Sequence, residues 1–326
     1  MKAVTCRRYG SPEVLRIEEV EKPQQRANEV LVQVVATSVT SGDTRMRAFR
    51  GAGVLWLPMR VVFGVLRPKN PIPGMEFAGR IVSVGNDVTT FRVGDAVFGM
   101  KIGGANAEYI AVPEAGAIAA KPDVLSFEEA AATPFGALSA LAFLRDFARL
   151  QRGQKVLVYG ASGAVGVFAI QLAKHLGAEV TGVCSTANLD LVKSLGADKT
   201  IDYTTTDFTM GADVYDVILD TVGGTSFARG KRVLAAEGRH VFLVMALTQI
   251  FQALWTSMLR GKRVIVGICG GDSKNDLLLV KDLVEAGQIR PVIDRIYGLH
   301  DIVEAHRYVE TGRKRGGCII ATGAQS

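Results

Sequence analysis

The segment Val156-Leu-Val-Tyr-Gly-Ala-Ser-Gly-Ala-Val-Gly166 constrains this chain most. An apolar run fit for a buried strand passes through a glycine turn straight into a helical stretch that stops at Gly177. The spacing is Gly160-x-x-Gly163-x-x-Gly166, with Ala161 where the usual pattern has its first glycine. A side chain at Gly163 would keep a pyrophosphate off the backbone, and one at Gly166 would hold the helix away from the strand. The helix N-terminus adds free N–H groups and partial positive charge. Gly160, Ala161, Ser162, Gly163, Ala164, Val165 and Gly166 are therefore read as a dinucleotide site.

The next strand, read over 180–184, ends Thr181-Gly-Val-Cys-Ser185. An NAD site places an Asp or Glu about 20 residues after the glycine motif, where it accepts from the ribose hydroxyls. This chain offers Cys184, Ser185 and Thr186 there instead. With no carboxylate to repel a 2′-phosphate, and hydroxyls to bind it, the expected cofactor is NADPH (NADP).

Strands at 156–159, 180–184, 199–202, 215–220, 239–244 and 263–268, with helical stretches between them, predict an α/β doubly wound parallel sheet. Residues 1–124 have another texture, short strands punctuated by Gly and Pro, such as 29–36 and 77–85. They predict a β-rich barrel or sandwich. Ser126-Phe-Glu-Glu129 fits a capping box that opens a helix. The tail from Asp276 reads helix, strand, helix, strand. The expected division is 1–124 with 271–326 against 125–270.

Composition excludes several classes. Lys+Arg 38 against Asp+Glu 32 leaves +6, and no long basic run appears, so no nucleic-acid partner is expected. Cys6, Cys184, Cys269 and Cys318 are scattered without C-x-x-C spacing. That fits a reducing, cytoplasmic setting and gives no thiolate zinc site. The opening MKAVTCRRYG lacks the apolar core of a secretory signal, and no uninterrupted apolar run reaches the ~18 residues of a membrane span. His175, His240, His300 and His306 are scattered, so no metal site is expected.

Cys269 and Tyr159 read more readily as packing residues than as reactive groups. Asp43 reads equally as a polar contact to ligand or as an Asx turn. Between Thr40 and Asn70, six basic residues (Arg45, Arg47, Arg50, Arg60, Arg67, Lys69) face one acid, Asp43, beside apolar Val54–Leu57 and Met59–Phe63. That mixture suits a lipophilic substrate and cofactor phosphates, or a partner or membrane surface. A second apolar stretch, Met245–Leu259, suits a cover over the nicotinamide or a dimer interface.

The glycine motif, Arg8-Tyr-Gly-Ser-Pro-Glu-Val-Leu15, Pro73-Gly-Met-Glu-Phe-Ala-Gly79, and Leu195-Gly-Ala-Asp198 with Ile201-Asp-Tyr203 together resemble the zinc-independent quinone oxidoreductase branch of the medium-chain dehydrogenase/reductases. The resemblance spans nearly the whole chain. It implies a GroES-like β-rich catalytic domain built from both chain ends around a Rossmann domain, commonly as a homodimer. It implies that Ser139 and Val222 lie near the nicotinamide ribose, and Val244, Gly267 and Cys269 near the carboxamide. Ser185, Asn188 and Tyr203 would surround the adenine ribose and its phosphate. Relatives often carry Lys or Arg around 187–188, where this chain has Ala187 and Asn188, and Asn where it has Thr40. Gly74-Met75-Glu76 replaces the Gly-His-Glu of zinc relatives. The activity implied is NADPH-dependent hydride transfer to an apolar quinone or enone, with Thr40 and Asp43 as polar guides. An alcohol/aldehyde oxidoreductase and a non-catalytic NADPH-binding regulatory protein remain as alternatives.

Overall fold

The computed structural model describes residues 1–49, 56–267 and 273–324. They form two units, one of residues 1–49, 56–135 and 273–324, the other of residues 136–267.

The first unit opens with the hairpin β1 (Lys2–Cys6) and β2 (Leu15–Glu19), then β3 (Glu29–Ser38), α1 (Ser41–Ala48) and α2 (Trp56–Phe63). Strands β4 (Glu76–Val84), β5 (Ala96–Met100), β6 (Tyr109–Pro113) and β7 (Ile118–Ala120) follow, then helix α3 (Phe127–Ala131); helix α4 (Pro134–Leu141) leads into the second unit. Strand β3 pairs antiparallel with β4 and with β6, and its residues are buried almost throughout. The alternation in 29–36 predicts a half-buried strand. A central position covered on both faces explains the difference, because such strands lose their wet side. Ser126 and Glu129 form the expected capping box. Helix α3 packs on β3 and β4, so it belongs to this unit.

The second unit runs β8 (Lys155–Tyr159), α5 (Ala164–His175), β9 (Glu179–Cys184), α6 (Leu189–Ser194), β10 (Lys199–Asp202) and β11 (Tyr215–Asp220). It continues with α7 (Phe227–Gly230), β12 (Leu234–Phe242), α8 (Leu247–Ser257) and β13 (Arg263–Val266). The six strands are parallel in the order β10-β9-β8-β11-β12-β13, the doubly wound arrangement whose order reverses beside β8. The sheet is buried on both faces: Val156, Leu157, Val158, Val217, Ile218 and Leu219 have no exposed surface. Strand β12 starts earlier than its sequence predicts. Its register against β11 jumps from Leu234 to Arg239, an irregularity in the pairing between those two residues.

The tail, α9 (Lys274–Glu285), β14 (Ile293–Gly298), α10 (Ile302–Glu310) and β15 (Gly317–Ala321), returns to the first unit. There β15 pairs antiparallel with β3 and parallel with β14. No helix among the described residues is long and apolar enough to cross a membrane.

Candidate functional site

The glycine turn ends β8 as its sequence predicts. Gly160 has φ +82°, and an added Cβ there would stand 2.5 Å from Thr221 Oγ1. At Gly166 a Cβ would meet Gly160 O at 2.2 Å, so this glycine seats α5 against the strand. Gly163 differs. A Cβ there would meet nothing closer than Gly160 O at 3.4 Å. The space above Gly163 is therefore open. Gly163 is also the N-cap of α5 and brings no capping side chain, so the first-turn N–H groups stay available to an anion. Ala161 is accommodated because Gly182 faces it: a Cβ on Gly182 would lie 3.2 Å from the Ala161 methyl.

At the end of β9, Asn188 is buried and its Nδ2 donates to Ser162 Oγ and Ser185 Oγ, both at 3.1 Å. Each hydroxyl therefore accepts from Asn188 and keeps its own proton to give elsewhere. Asn188 Oδ1 is buried without a hydrogen-bond partner. Tyr203 is 54% exposed and its N–H donates to Cys184 O. Burial and the field of Asp202 push the Cys184 thiol up to about 11, which makes it inert as a nucleophile.

Two carboxylates of this edge were missed by sequence reasoning. Asp202, on β10 opposite Cys184, accepts from the Thr186 hydroxyl at 2.5 Å and from the N–H and hydroxyl of Thr204. These bonds hold its pKa below the ordinary carboxylate value. No spacing from the glycine motif points to it, because it comes from the next strand. Asp220 is fully buried at the end of β11. Its Oδ1 accepts from the N–H groups of Val222 and Gly223, and its Oδ2 from Thr225 N–H and hydroxyl. With the Thr225 proton given to Asp220, His240 Nε2–H donates to Thr225 Oγ1 at 2.9 Å. Burial holds the His240 imidazole down to about 4, hence neutral. The signal for Asp220 was its place before Thr221-Val-Gly-Gly224, a run whose N–H groups need an acceptor.

This loop brings Val222 beside Gly160, and Gly223, at φ +79°, beside Val244. Gly160, Val222 and Val244 are thus gathered where β8, β11 and β12 end. Ser139 is buried on α4, one turn beyond Gly136, whose added Cβ would meet Ala164 O at 2.4 Å. Gly267 follows β13 against the Phe147 ring. Cys269 lies outside the described residues, as do Arg50 and Val54.

In the first unit Thr40 and Asp43 form no free turn. They are the capping box of α1: Asp43 N–H donates to Thr40 Oγ1, and Asp43 Oδ2 accepts from Thr40 N–H and hydroxyl. Both are buried. Burial pushes the Asp43 carboxyl up to about 6, while bonds from Thr40 and the Gly74 backbone oppose the rise. Gly74 has φ +96° with Asn106 pressed where a side chain would go, which explains the glycine of Pro73-Gly-Met-Glu76. Glu76 is buried, accepts from Phe135 N–H at 2.6 Å and from the Ser38 hydroxyl, and is pushed up to about 7 by burial. The Asp43 charge raises it further, and buried Lys314 opposes the rise. Among the described residues, no three His, Cys, Asp or Glu are grouped to hold a metal ion.

Known proteins repeat this arrangement. The Alcohol dehydrogenase GroES-like domain model matches residues 26–123, and the Zinc-binding dehydrogenase model residues 195–320. A 2-methylene-furan-3-one reductase of Solanum lycopersicum is 34% identical, covering 98% of this chain and 79% of the relative. The NADPH-dependent alkenal/one oxidoreductase, chloroplastic, of Arabidopsis thaliana is 30% identical over 98% of this chain and 79% of its own length. The solved quinone oxidoreductase from Coxiella burnetii superposes with TM-score 0.86 at 29% identity, over 99% of both chains. The β-rich unit is thus GroES-like, the parallel sheet is the nucleotide-binding domain of a pyridine-nucleotide oxidoreductase, and the chain belongs to the quinone oxidoreductase branch of the medium-chain dehydrogenase/reductases.

Proposed function

We propose that this chain reduces apolar, conjugated quinones or enones with NADPH and without a metal. The observation that carries the cofactor choice is Asn188, whose amide donates to the Ser162 and Ser185 hydroxyls and leaves their protons free to be donated. A 2′-phosphate takes donors; the diol of NADH needs an acceptor. Asp202 pulls the other way, but Thr186 and Thr204 already occupy it.

The bound nicotinamide supplies the hydride. The chain's part is orientation and electrostatics. Gly163 and the start of α5 hold the pyrophosphate, while Asp220 shapes the loop that carries Val222. Thr40 shapes the substrate class by what it does not offer. Its proton is committed to Asp43 Oδ2, so it accepts a bond more readily than it donates one. A saturated ketone or aldehyde needs a donor as charge develops on its oxygen, whereas a quinone or enone spreads that charge until water protonates it. The names of the relatives, an alkenal/one oxidoreductase and a quinone oxidoreductase, point the same way.

Turnover of one quinone, one enone and one saturated aldehyde with NADPH and NADH, before and after dialysis against a chelator, tests this. Expected are a lower KM for NADPH, fast conjugated acceptors and no loss on chelation. A preference for NADH, or an aldehyde rate restored by zinc, overturns the reading.

A further inference from the structure

Helix α8 is mounted inside out. Its inward contact is polar: Thr256 is buried, accepts from Val264 N–H at 3.0 Å and donates to Gln252 O at 2.7 Å. Ile250 and Ala253 are half-buried beside it, while the other large apolar residues face out. Phe251, Leu254, Trp255 and Met258 are 58–82% exposed, and Leu247 is 38% exposed. At 3.6 residues per turn these five positions fall within about 100° of arc, a continuous stripe rather than scattered exposure.

The charge around the stripe says what covers it. Arg260, Lys262 and Arg263 follow directly, and Lys262 Nζ reaches Lys231 O at 2.6 Å, which adds Lys231 and Arg232. Between Asp220 and Asp272 the single acidic residue is Glu237. A second copy docking on this face through a two-fold contact would set these cations against their own counterparts, with almost no acid to balance them. An anionic bilayer satisfies both halves: headgroups take the cations, and the acyl boundary takes Phe251, Leu254, Trp255 and Met258. Tryptophan is favoured at that depth. We propose that α8 and the basic run after it dock the chain peripherally on an anionic lipid surface. This goes beyond the redox reading and does not depend on it.

Sedimentation of the full chain with phosphatidylcholine vesicles, with and without phosphatidylglycerol, tests the proposal. The chain should pellet only with the anionic vesicles, and added salt should release it as screening shortens the attraction. Phe251→Ser with Trp255→Ser should lower the bound fraction about tenfold through lost apolar insertion. Arg260→Gln with Lys262→Gln should lower it on anionic vesicles while the thermal melt stays in place. No dependence on phosphatidylglycerol overturns the proposal, as does a serine variant that binds like the parent. A dimer in solution that the serine pair splits, with no vesicle binding by the parent, assigns the face to a second copy instead.

Discussion

At the end of β8 the polar groups are backbone N–H groups and small hydroxyls, left without a capping side chain at Gly163 and held by the Asn188 amide, which donates to two serines. Under Thr40, in the β-rich unit, the polar groups are two buried carboxyls, Asp43 and Glu76, which share Lys314 as a distant counter-charge. The first region costs little to fold, since its groups are uncharged and hydrogen-bonded to one another. The second is buried charge, and the fold tolerates it by raising the carboxyl pKa values and surrounding them with donors. One region is an opening made by leaving things out, the other a buried floor made by putting things in.

The largest expected effect separates two glycines of one motif. Gly166→Val places a branched side chain where even a Cβ stands 2.2 Å from Gly160 O. It should destabilise the fold by about 3 kcal/mol or more, read as a lower urea midpoint, because backbone must move to admit it. Gly163→Ala has room in the free protein and should leave that midpoint within about 0.5 kcal/mol, while nucleotide affinity falls at least about tenfold. Equal unfolding in both variants would mean the turn is a structural element only.

Next in size is the floor. The Glu76 carboxyl is raised from 4.5 to about 7, facing Ser38, Phe135 N–H, Asp43 and Lys314. The folded state therefore holds a proton that the unfolded chain has lost. The stability linked to it is complete below about pH 4.5 and is lost as pH rises through about 7. Glu76→Gln keeps the shape and removes the titration. It should be more stable than the parent near pH 8, on the order of 3 kcal/mol, and gain nothing near pH 4. Urea midpoints across that range decide it; parallel pH profiles for parent and variant would show that Glu76 is ionised throughout.

The same contrast explains what the amino-acid sequence disclosed. Each of the six parallel strands overlaps a stretch read in advance; the central ones, buried on both faces, are short apolar runs between glycine and helix signals. The glycine turn was legible for a related reason: its function is the absence of side chains, and absence is written in the residue type. Asp220 and Asp202 were not legible, because a carboxylate looks alike whether it takes five donors inside a loop or faces water. Thr40 and Asp43 read as a turn, since the helix they cap is only Ser41–Ala48 and carries three charged residues within eight. Nothing in Pro73-Gly-Met-Glu76 shows that Glu76 lies buried against Phe135, 59 positions away in the chain.

The smallest effect tests whether the edge of β9 reads the phosphate through Asn188. Asn188→Asp is nearly isosteric but turns a donor into an acceptor. The Ser162 and Ser185 hydroxyls would then swing to donate to the new carboxylate, and neither would keep a proton for a ligand. The added charge would also repel a 2′-phosphate, an interaction weakened by the water at this edge. The KM for NADPH should rise about tenfold, equivalent to about 1.4 kcal/mol, with kcat little changed because the reacting ring lies at the other end of the nucleotide. NADH carries no such phosphate, and its diol can donate to the carboxylate, so its KM should hold or fall. Matched rises for both nucleotides would make Asn188 a brace for the loop and return the question of cofactor choice to Asp202.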